Sequence, residues 1–434
     1  MKVRRRTGAA AALATTAAVL LAACSSGDAS TGSSDSPDGD GPVTLTWWHN
    51  GTEDPLNSFW QTVADEFEAA NPNVTVEIEA IQNEDVSTRI AVALQSGDAP
   101  SLFQQWGGGE MAQQAEAGHL MDLTGLVDDE LAAIGGTAAP WSVDGTYYGL
   151  PFQFGIEGIW YRPSLFEQAG ITEEPSTMDD LYAAVDKLKA AGVTPIAVGA
   201  ADQWPAAHWW FNFALRSCTL DTINEAGANG DFSDPCFVTA GEKVEELLAA
   251  EPFQEGFAGT SAQQGASSSA GLVATGNAAM ELMGHWNVFV MTGLVDDPDA
   301  LTADLDWFPF PEVEGAGDPT AAMGGGDGFS CYVDAPTACV DLLKYILSED
   351  VQTRFAEIVG GVPVIPAAAA GVSQPTTQEQ IEVASDAAYV QLWMDIGFGP
   401  NVGGALNDTV EAMFSGQASA ADIPAAMQAA ADNG

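Results

Sequence analysis

Positive charge is what this chain lacks most. Its 434 residues hold 12 Lys+Arg against 61 Asp+Glu, a formal net charge of -49. A surface of that sign repels anions, which argues against nucleic acid, phosphate-bearing or uronic-acid ligands and against anionic lipid heads; a neutral ligand is compatible with it. Histidine is scarce too, at 4. There is no His-Glu-x-x-His pair, no Gly-x-Ser-x-Gly elbow and no phosphate-binding loop, so no nucleophile, base or metal set can be named. A glycosidase-like pair of carboxylates stays open, because among so many acidic residues no pair is informative. The 5 cysteines include no Cys-x-x-Cys, which leaves no redox or metal motif. The expectation is a binding protein, not an enzyme, with no cofactor and no metal.

What is present at the N-terminus is an export address. Lys2, Arg4, Arg5 and Arg6 precede an uncharged stretch, residues 7–23, that ends in Leu21-Ala22-Ala23-Cys24. The stretch is short for a membrane span, and the small Ala22-Ala23 pair suits a signal peptidase. Residues 1–23 are expected to be a signal peptide and Cys24 the lipid-bearing first mature residue. Residues 24–42, rich in Ser, Gly and Asp, then form a flexible tether. The protein would stand on the extracytoplasmic face of the cell membrane, held by more than one acyl chain, since one chain holds only marginally. The arginine triplet fits general or twin-arginine export alike. In that compartment the other cysteines are expected to form disulfides; three connectivities exist, and nearness favours Cys218 with Cys236 and Cys331 with Cys339.

The mature length suits two domains. Residues 43–48 alternate like a strand, and Leu56, Phe59, Trp60, Val63 and Phe67 then mark one helical face. Asn71-Pro72 ends that helix. Residues 74–81 alternate again, 86–96 read as a helix stopped at Gly97, and Leu102-Phe103 begins another strand. The same grammar returns where Thr177 caps a helix carrying Leu181, Val185 and Leu188, Gly192 ends it, and 194–198 form a buried strand. Two α/β units follow from this. Residues 340–359 and 408–431 read as the clearest late helices.

Aromatic and amide side chains cluster beside Gly and Pro in loops, where no core requires them. The segments are Trp47-Trp48-His49-Asn50, Gln104-Gln105-Trp106 before three glycines, Phe152-Gln153, Trp204-Pro205 running to His208-Trp209-Trp210, and Gly284-His285-Trp286-Asn287. An indole face suits the apolar face of a sugar ring, and amides, His and Asp suit its hydroxyl rim. Trp160 and Trp210 are assigned to the core.

At these residues the chain resembles the lipid-anchored, family 1 extracellular solute-binding proteins of carbohydrate ABC transporters, of the actinobacterial type. The resemblance covers nearly the whole mature chain. It rests on Thr44-Leu45-Thr46-Trp47-Trp48-His49, on Phe103-Gln104-Gln105-Trp106-Gly107-Gly108-Gly109, on Tyr148-Gly149-Leu150-Pro151-Phe152, and on Ile159-Trp160-Tyr161 followed by Leu165-Phe166. Residues 276–286, with Ala278-Ala279-Met280, and Gly324-Gly325-Gly326-Asp327-Gly328-Phe329 complete it. Arg162 departs from the asparagine usual after Trp-Tyr.

The resemblance implies an α/β, two-lobed periplasmic-binding-protein fold of type II, like maltose-binding protein, with sugar held between the lobes. Lobe 1 would comprise residues 43–151 and 326–390; lobe 2 would comprise 152–325 and the C-terminal helices, 391–434. Hinge strands would cross near Pro151, Gly324 and Gly397. Trp48, His49, Gln105, Trp106 and Asp327 would reach the cleft from lobe 1, and Gln153, Trp204, His208, Trp209 and Trp286 from lobe 2. Trp106, Trp204 and Trp286 would stack on rings, and Gln105, Gln153, His208 and Asp327 would meet hydroxyls. Two bland alternatives stand beside these: Trp204 packing on Pro205, and Asp327 capping the glycine loop through backbone N–H groups. The implied function is capture of a neutral oligosaccharide by a monomer that delivers it to an ABC permease, with xylobiose-like sugars in view. A surface glycosidase and a sugar sensor of the same fold are the alternatives.

Overall fold

The alternation in the first hundred residues becomes a parallel β-α-β-α-β unit. Val43–His49 (β1) buries Leu45, Trp47 and His49 on one face, and Val74–Ala80 (β2) and Leu102–Gln105 (β3) lie parallel on its two sides. Helix Leu56–Ala70 turns Leu56, Phe59, Trp60, Val63 and Phe67 to the core, the stripe that a 3.6-residue period demands. Helix Asn83–Ser96 stops at Gly97, whose φ of 72° is a left-handed cap that costs glycine nothing.

A computed structural model describes residues 41–433; the expected signal peptide, Cys24 and nearly all of the tether lie outside them. Apart from a small hairpin of Ser142–Val143 and Thr146–Tyr147, the later strands are Leu150–Tyr161 (β4), Thr194–Ala197 (β5), Ala278–Gly284 (β6), Asp306–Pro309 (β7), Ala322–Cys331 (β8) and Val390–Leu392 (β9). They join the first three in one sheet of order β2-β1-β3-β8-β4-β6-β5, with β9 beside β8 and β7 beside β4. Two long strands organise it. β8 pairs antiparallel with β3 through residues 328–331 and with β4 through residues 324–329. β4 then continues past β8 and pairs with β6 through residues 157–161 and with β7 through residues 158–161. Each long strand therefore serves both halves of the molecule, as a crossing strand must.

Two of the three expected crossings are strands, and the third is corrected. Gly397 ends a short helix, Met394–Gly397. There the halves meet through glycines instead: a Cβ on Gly109 would lie 2.8 Å from the backbone nitrogen of Gly399. The two late helices are also corrected. Residues 340–359 split into helices Ala338–Ile346 and Glu349–Arg354 and a wide turn, Phe355–Val359. Ser348 starts the second of these by accepting from Val351 N–H. Helices Pro400–Phe414 and Asp422–Asn433 are separated at Gly416, where φ is 71°.

In the second half Thr177 and Asp180 form a reciprocal capping box at helix Met178–Ala190, which buries Leu181, Val185 and Leu188. Trp160 and Trp210 are wholly buried. In the first half Trp60 packs on Trp47 at 5.3 Å and Phe152 at 4.9 Å, and Phe152 stacks on Phe329 at 5.1 Å. Burying each such ring contributes about 2–3 kcal/mol, so this knot ties β1, β4 and β8 together. The disulfides are Cys218–Cys236 and Cys331–Cys339.

Candidate functional site

Strand ends and helix starts from both halves surround a cavity of about 460 Å³, within the usual size of a small-molecule site. Its crossing-strand floor carries Gln153 and Asp327; one wall carries Asn50, Gln82 and Trp106, and the other Trp204, His208 and Trp286. The segment after β9 adds Trp393, Asp395 and Asn407.

Asp327 organises the floor. Its Oδ1 accepts from the Trp106 indole N–H at 2.7 Å and from Gln104 Nε2 at 3.1 Å, and its Oδ2 accepts from Gln153 Nε2 at 2.6 Å. Burial pushes the carboxyl above its ordinary range, and the three donors offset this only in part. Asp327 therefore holds three side chains in place and does not cap the glycine loop. Trp106 thereby spends its N–H on Asp327.

The opposite wall is aromatic. Helix Trp204–Ser217 begins at Gln203, whose φ of 66° is rare for a side-chain-bearing residue, and presents Trp204 and, one turn on, His208. His208 Nδ1 is hydrogen-bonded to Glu157 on β4, and Glu157 also accepts from Asn212 at 2.6 Å. His208 lies flat on Trp393, 5.1 Å away and 1° from parallel. Trp286 meets Trp393 edge-on at 5.4 Å and Trp204 at 6.2 Å. The wall is a continuous sheet of rings with polar atoms at its edges.

Several polar atoms of the cavity residues have no partner among the described residues. Among the cavity-lining residues, Trp204 Nε1, Trp286 Nε1, Gln153 Oε1, Glu84 Oε1 and Asn407 Oδ1 are buried and unpaired. A buried polar atom left unpaired costs about 1–3 kcal/mol, so this set of donors and acceptors is chemically ready for a hydroxylated ligand. Among the described residues no Lys or Arg lines the cavity, whereas Glu53, Glu84, Asp202 and Asp395 do. Burial raises the Asp202 carboxyl, the N–H of Ala262 lowers it in part, and the charge of Glu84 raises it further.

Six of the ten residues expected at the site line the cavity: Trp106, Gln153, Trp204, His208, Trp286 and Asp327. Four are corrected. Trp209 is core, buried between Phe253 and Phe310. His49 is buried too; its Nδ1 accepts from Gly51 N–H at 3.1 Å, and burial pushes its pKa down to about 3. Trp48 packs on a separate small cluster under the Arg89 guanidinium, 4.8 Å above its ring. Gln105 bonds Gln114 and the N–H of Trp106, and it is its neighbour Gln104 that reaches Asp327. The residues missed include Asn50, Gln82, Asn83, Gln203, Gln263, Trp393, Asp395 and Asn407. Asn50 stood in a segment already singled out; Trp393 had no Gly or Pro beside it to mark it.

Comparison with known proteins agrees with this geometry. The sequence model of the bacterial extracellular solute-binding proteins matches residues 50–353. An uncharacterized ABC transporter extracellular-binding protein of Pyrococcus horikoshii is 31% identical over 268 residues, which span 60% of this chain and 59% of that protein. A structure from work on xylan utilization by the thermophilic bacterium Caldanaerobius polysaccharolyticus superposes with TM-score 0.80 at 26% identity, over 89% of this chain and 99% of that one. A chitin oligosaccharide binding protein superposes with TM-score 0.80 at 24% identity, over 90% and 98% respectively. The shared architecture is the mixed α/β, two-lobed fold of the maltose-binding-protein type.

Proposed function

Because this chain belongs to the bacterial extracellular solute-binding protein family, we propose that it captures a neutral oligosaccharide between its lobes and presents the closed complex to an ABC importer. The observation that carries this reading is the cavity itself: four indoles and unpaired donors and acceptors, with no cation among the lining residues. A sugar presents the matching mixture of apolar ring faces and hydroxyl edges, while an anionic solute would meet several carboxylates and no Lys or Arg among the lining residues. The spread of indoles favours two or more rings, and short xylo-oligosaccharides such as xylobiose suit it. The likeness to a structure from work on xylan utilization supports the same choice.

In this reading residues 43–151 and 326–390 move as one lobe, and 152–325 with the C-terminal helices as the other. β4 and β8 bend between them. An open form admits sugar, and contacts made from both lobes favour the closed form by the difference in affinity between the two states. Binding by a monomer, without bond cleavage, is all that the residues in the cavity need to perform. Lipid on Cys24 would keep the protein near its permease and raise the local concentration on which capture depends.

The test is calorimetric titration of the purified protein against xylo-, cello-, malto- and chito-oligosaccharides, with the sugar recovered afterwards. Binding of a neutral oligosaccharide, returned intact, is expected. No binding to any sugar would overturn the proposal, and hydrolysis products would replace it with a glycosidase.

A further inference from the structure

Gly155 on β4 and Gly325 on β8 are direct partners across the antiparallel ladder of the two crossing strands. Residues paired in this way point their side chains to the same face. Here that face carries no side chain, and two rings occupy the space. A Cβ on Gly155 would fall 2.7 Å from both Cβ and Nδ1 of His285, and closer still to Cγ. A Cβ on Gly325 would fall 2.7 Å from Cδ1 of Trp393, and closer still to its indole nitrogen. Such separations do not occur between real atoms, so both contacts require glycine.

The two seated rings flank one residue of the cavity. Trp286 meets His285 at 5.4 Å and 76° on one side and Trp393 at 5.4 Å and 74° on the other. Its own ring folds back over Gly284, where a Cβ would lie 2.6 Å from Cε3. His285 is 1% exposed, neither of its ring nitrogens has a partner among the described residues, and burial pushes its pKa down to about 3. A neutral ring without hydrogen bonds acts here as a wedge, held by shape alone.

Resting on the reading of the cavity as a sugar site, we infer that the Gly155–Gly325 pair is the seat through which hinge geometry sets the position of Trp286. Gly155, Gly325, His285 and Trp393 are thus positioning residues for the aromatic wall. Bending β4 against β8 moves the seat, the two rings ride on it, and Trp286 is carried between them. A ligand stacked on Trp286 accordingly biases the hinge without touching either crossing strand at the seat. Neither glycine lines the cavity; both act on the ligand through the rings they seat.

Gly325→Ala in the intact protein tests it through two readouts, sugar affinity by calorimetry and the ligand-free radius of gyration by solution X-ray scattering. Affinity is expected to fall at least tenfold, and the scattering profile to shift with no ligand present. Gly404→Ala, on an exposed turn of helix Pro400–Phe414 with nothing within 4 Å of the new methyl, should leave both unchanged. In a Trp393→Ala background, Gly325→Ala should cost nothing more, because the ring it displaces is gone. Unchanged affinity and scattering for Gly325→Ala, or equal losses in both backgrounds, would overturn the inference. If Gly325→Ala does not fold, Gly155→Ala compared with and without His285→Ala makes the same cycle on the opposite strand. A wild type that binds no sugar would defeat the sugar reading, while scattering of the ligand-free variants would still decide the coupling.

Discussion

Replacing Asp327 with Asn isolates what the buried carboxylate does, because shape is kept and charge removed. In the native protein Oδ1 accepts from Trp106 and Gln104, and Oδ2 from Gln153. An amide has one oxygen. Turned to keep Trp106 and Gln104, its NH₂ confronts the Gln153 NH₂, so Gln153 must rotate its own amide and place N–H where the unpaired Oε1 stood. Stability feels two opposed effects. Loss of charge assistance weakens each of these bonds from about 1.5–3 to about 0.5–1.5 kcal/mol. Against this, a buried charge that cost several kcal/mol to desolvate is gone, as the raised pKa of Asp327 already indicates. Because the donors offset the desolvation only in part, the Asn variant should lose no stability, and Tm should hold or rise slightly. Affinity has no such offset: the acceptor has become a donor, and sugar binding should fall about tenfold, or about 1.4 kcal/mol. Asp327→Ala differs in kind. It leaves three buried donors without an acceptor, at about 1–3 kcal/mol each, and Tm should drop by on the order of 10 °C. Scanning calorimetry and titration calorimetry on both variants separate the cases. Equal losses of stability and affinity in the Asn and Ala variants would refute the reasoning, since the carboxylate would then matter only as bulk.

Three further predictions concern other parts of the molecule. Trp286→Ala should lower sugar affinity roughly 10–100-fold with little change in Tm, whereas Trp209→Ala, a core truncation, should cost about 3–5 kcal/mol of stability and leave affinity nearly unchanged in the folded fraction; the reverse pattern would exchange their roles. Burial raises Glu281 from the ordinary 4.5 to about 8, so the folded state holds a proton that the unfolded state releases. Stability from this group is complete below about pH 4.5 and is lost as pH rises to about 8, on the order of 5 kcal/mol across the window. Glu281→Gln should flatten that part of the stability profile in denaturant titrations, and an unchanged slope would count against it. Reduction of Cys218–Cys236 and Cys331–Cys339, which close loops of 18 and 8 residues in sequence separation, should cost about 2–3 kcal/mol each, read from denaturation midpoints with and without reductant.

Much of the fold was legible because its signals are local. The stripe from Leu56 to Phe67, the cap at Thr177, the glycine stop at Gly97 and both disulfide pairs need only a few neighbouring residues to be read, and all stand in the structure. Periodicity alone over-extends the late helices, because continuous hydrophobic spacing masks a break that a single residue makes. Ser348 accepts from Val351 N–H and restarts the helix, and Gly416 turns the chain with positive φ.

The site was legible only where side-chain direction follows from the element that carries it. Trp204 and His208 are four apart on one helix and face the cavity together, while Trp209, one residue further, is rotated into the core. Gln104 and Gln105 differ by one strand position, and the pleat sends only the first to Asp327. Trp393 could not be placed from sequence because its position depends on a vacancy elsewhere: only the missing Cβ of Gly325, 68 residues earlier, gives its ring a seat. Composition can name the indoles that suit a sugar. Which of them line the cavity is decided by the element that carries each: Trp204 by its helix face, Trp106 by its bond to Asp327, and Trp393 by the space that Gly325 leaves.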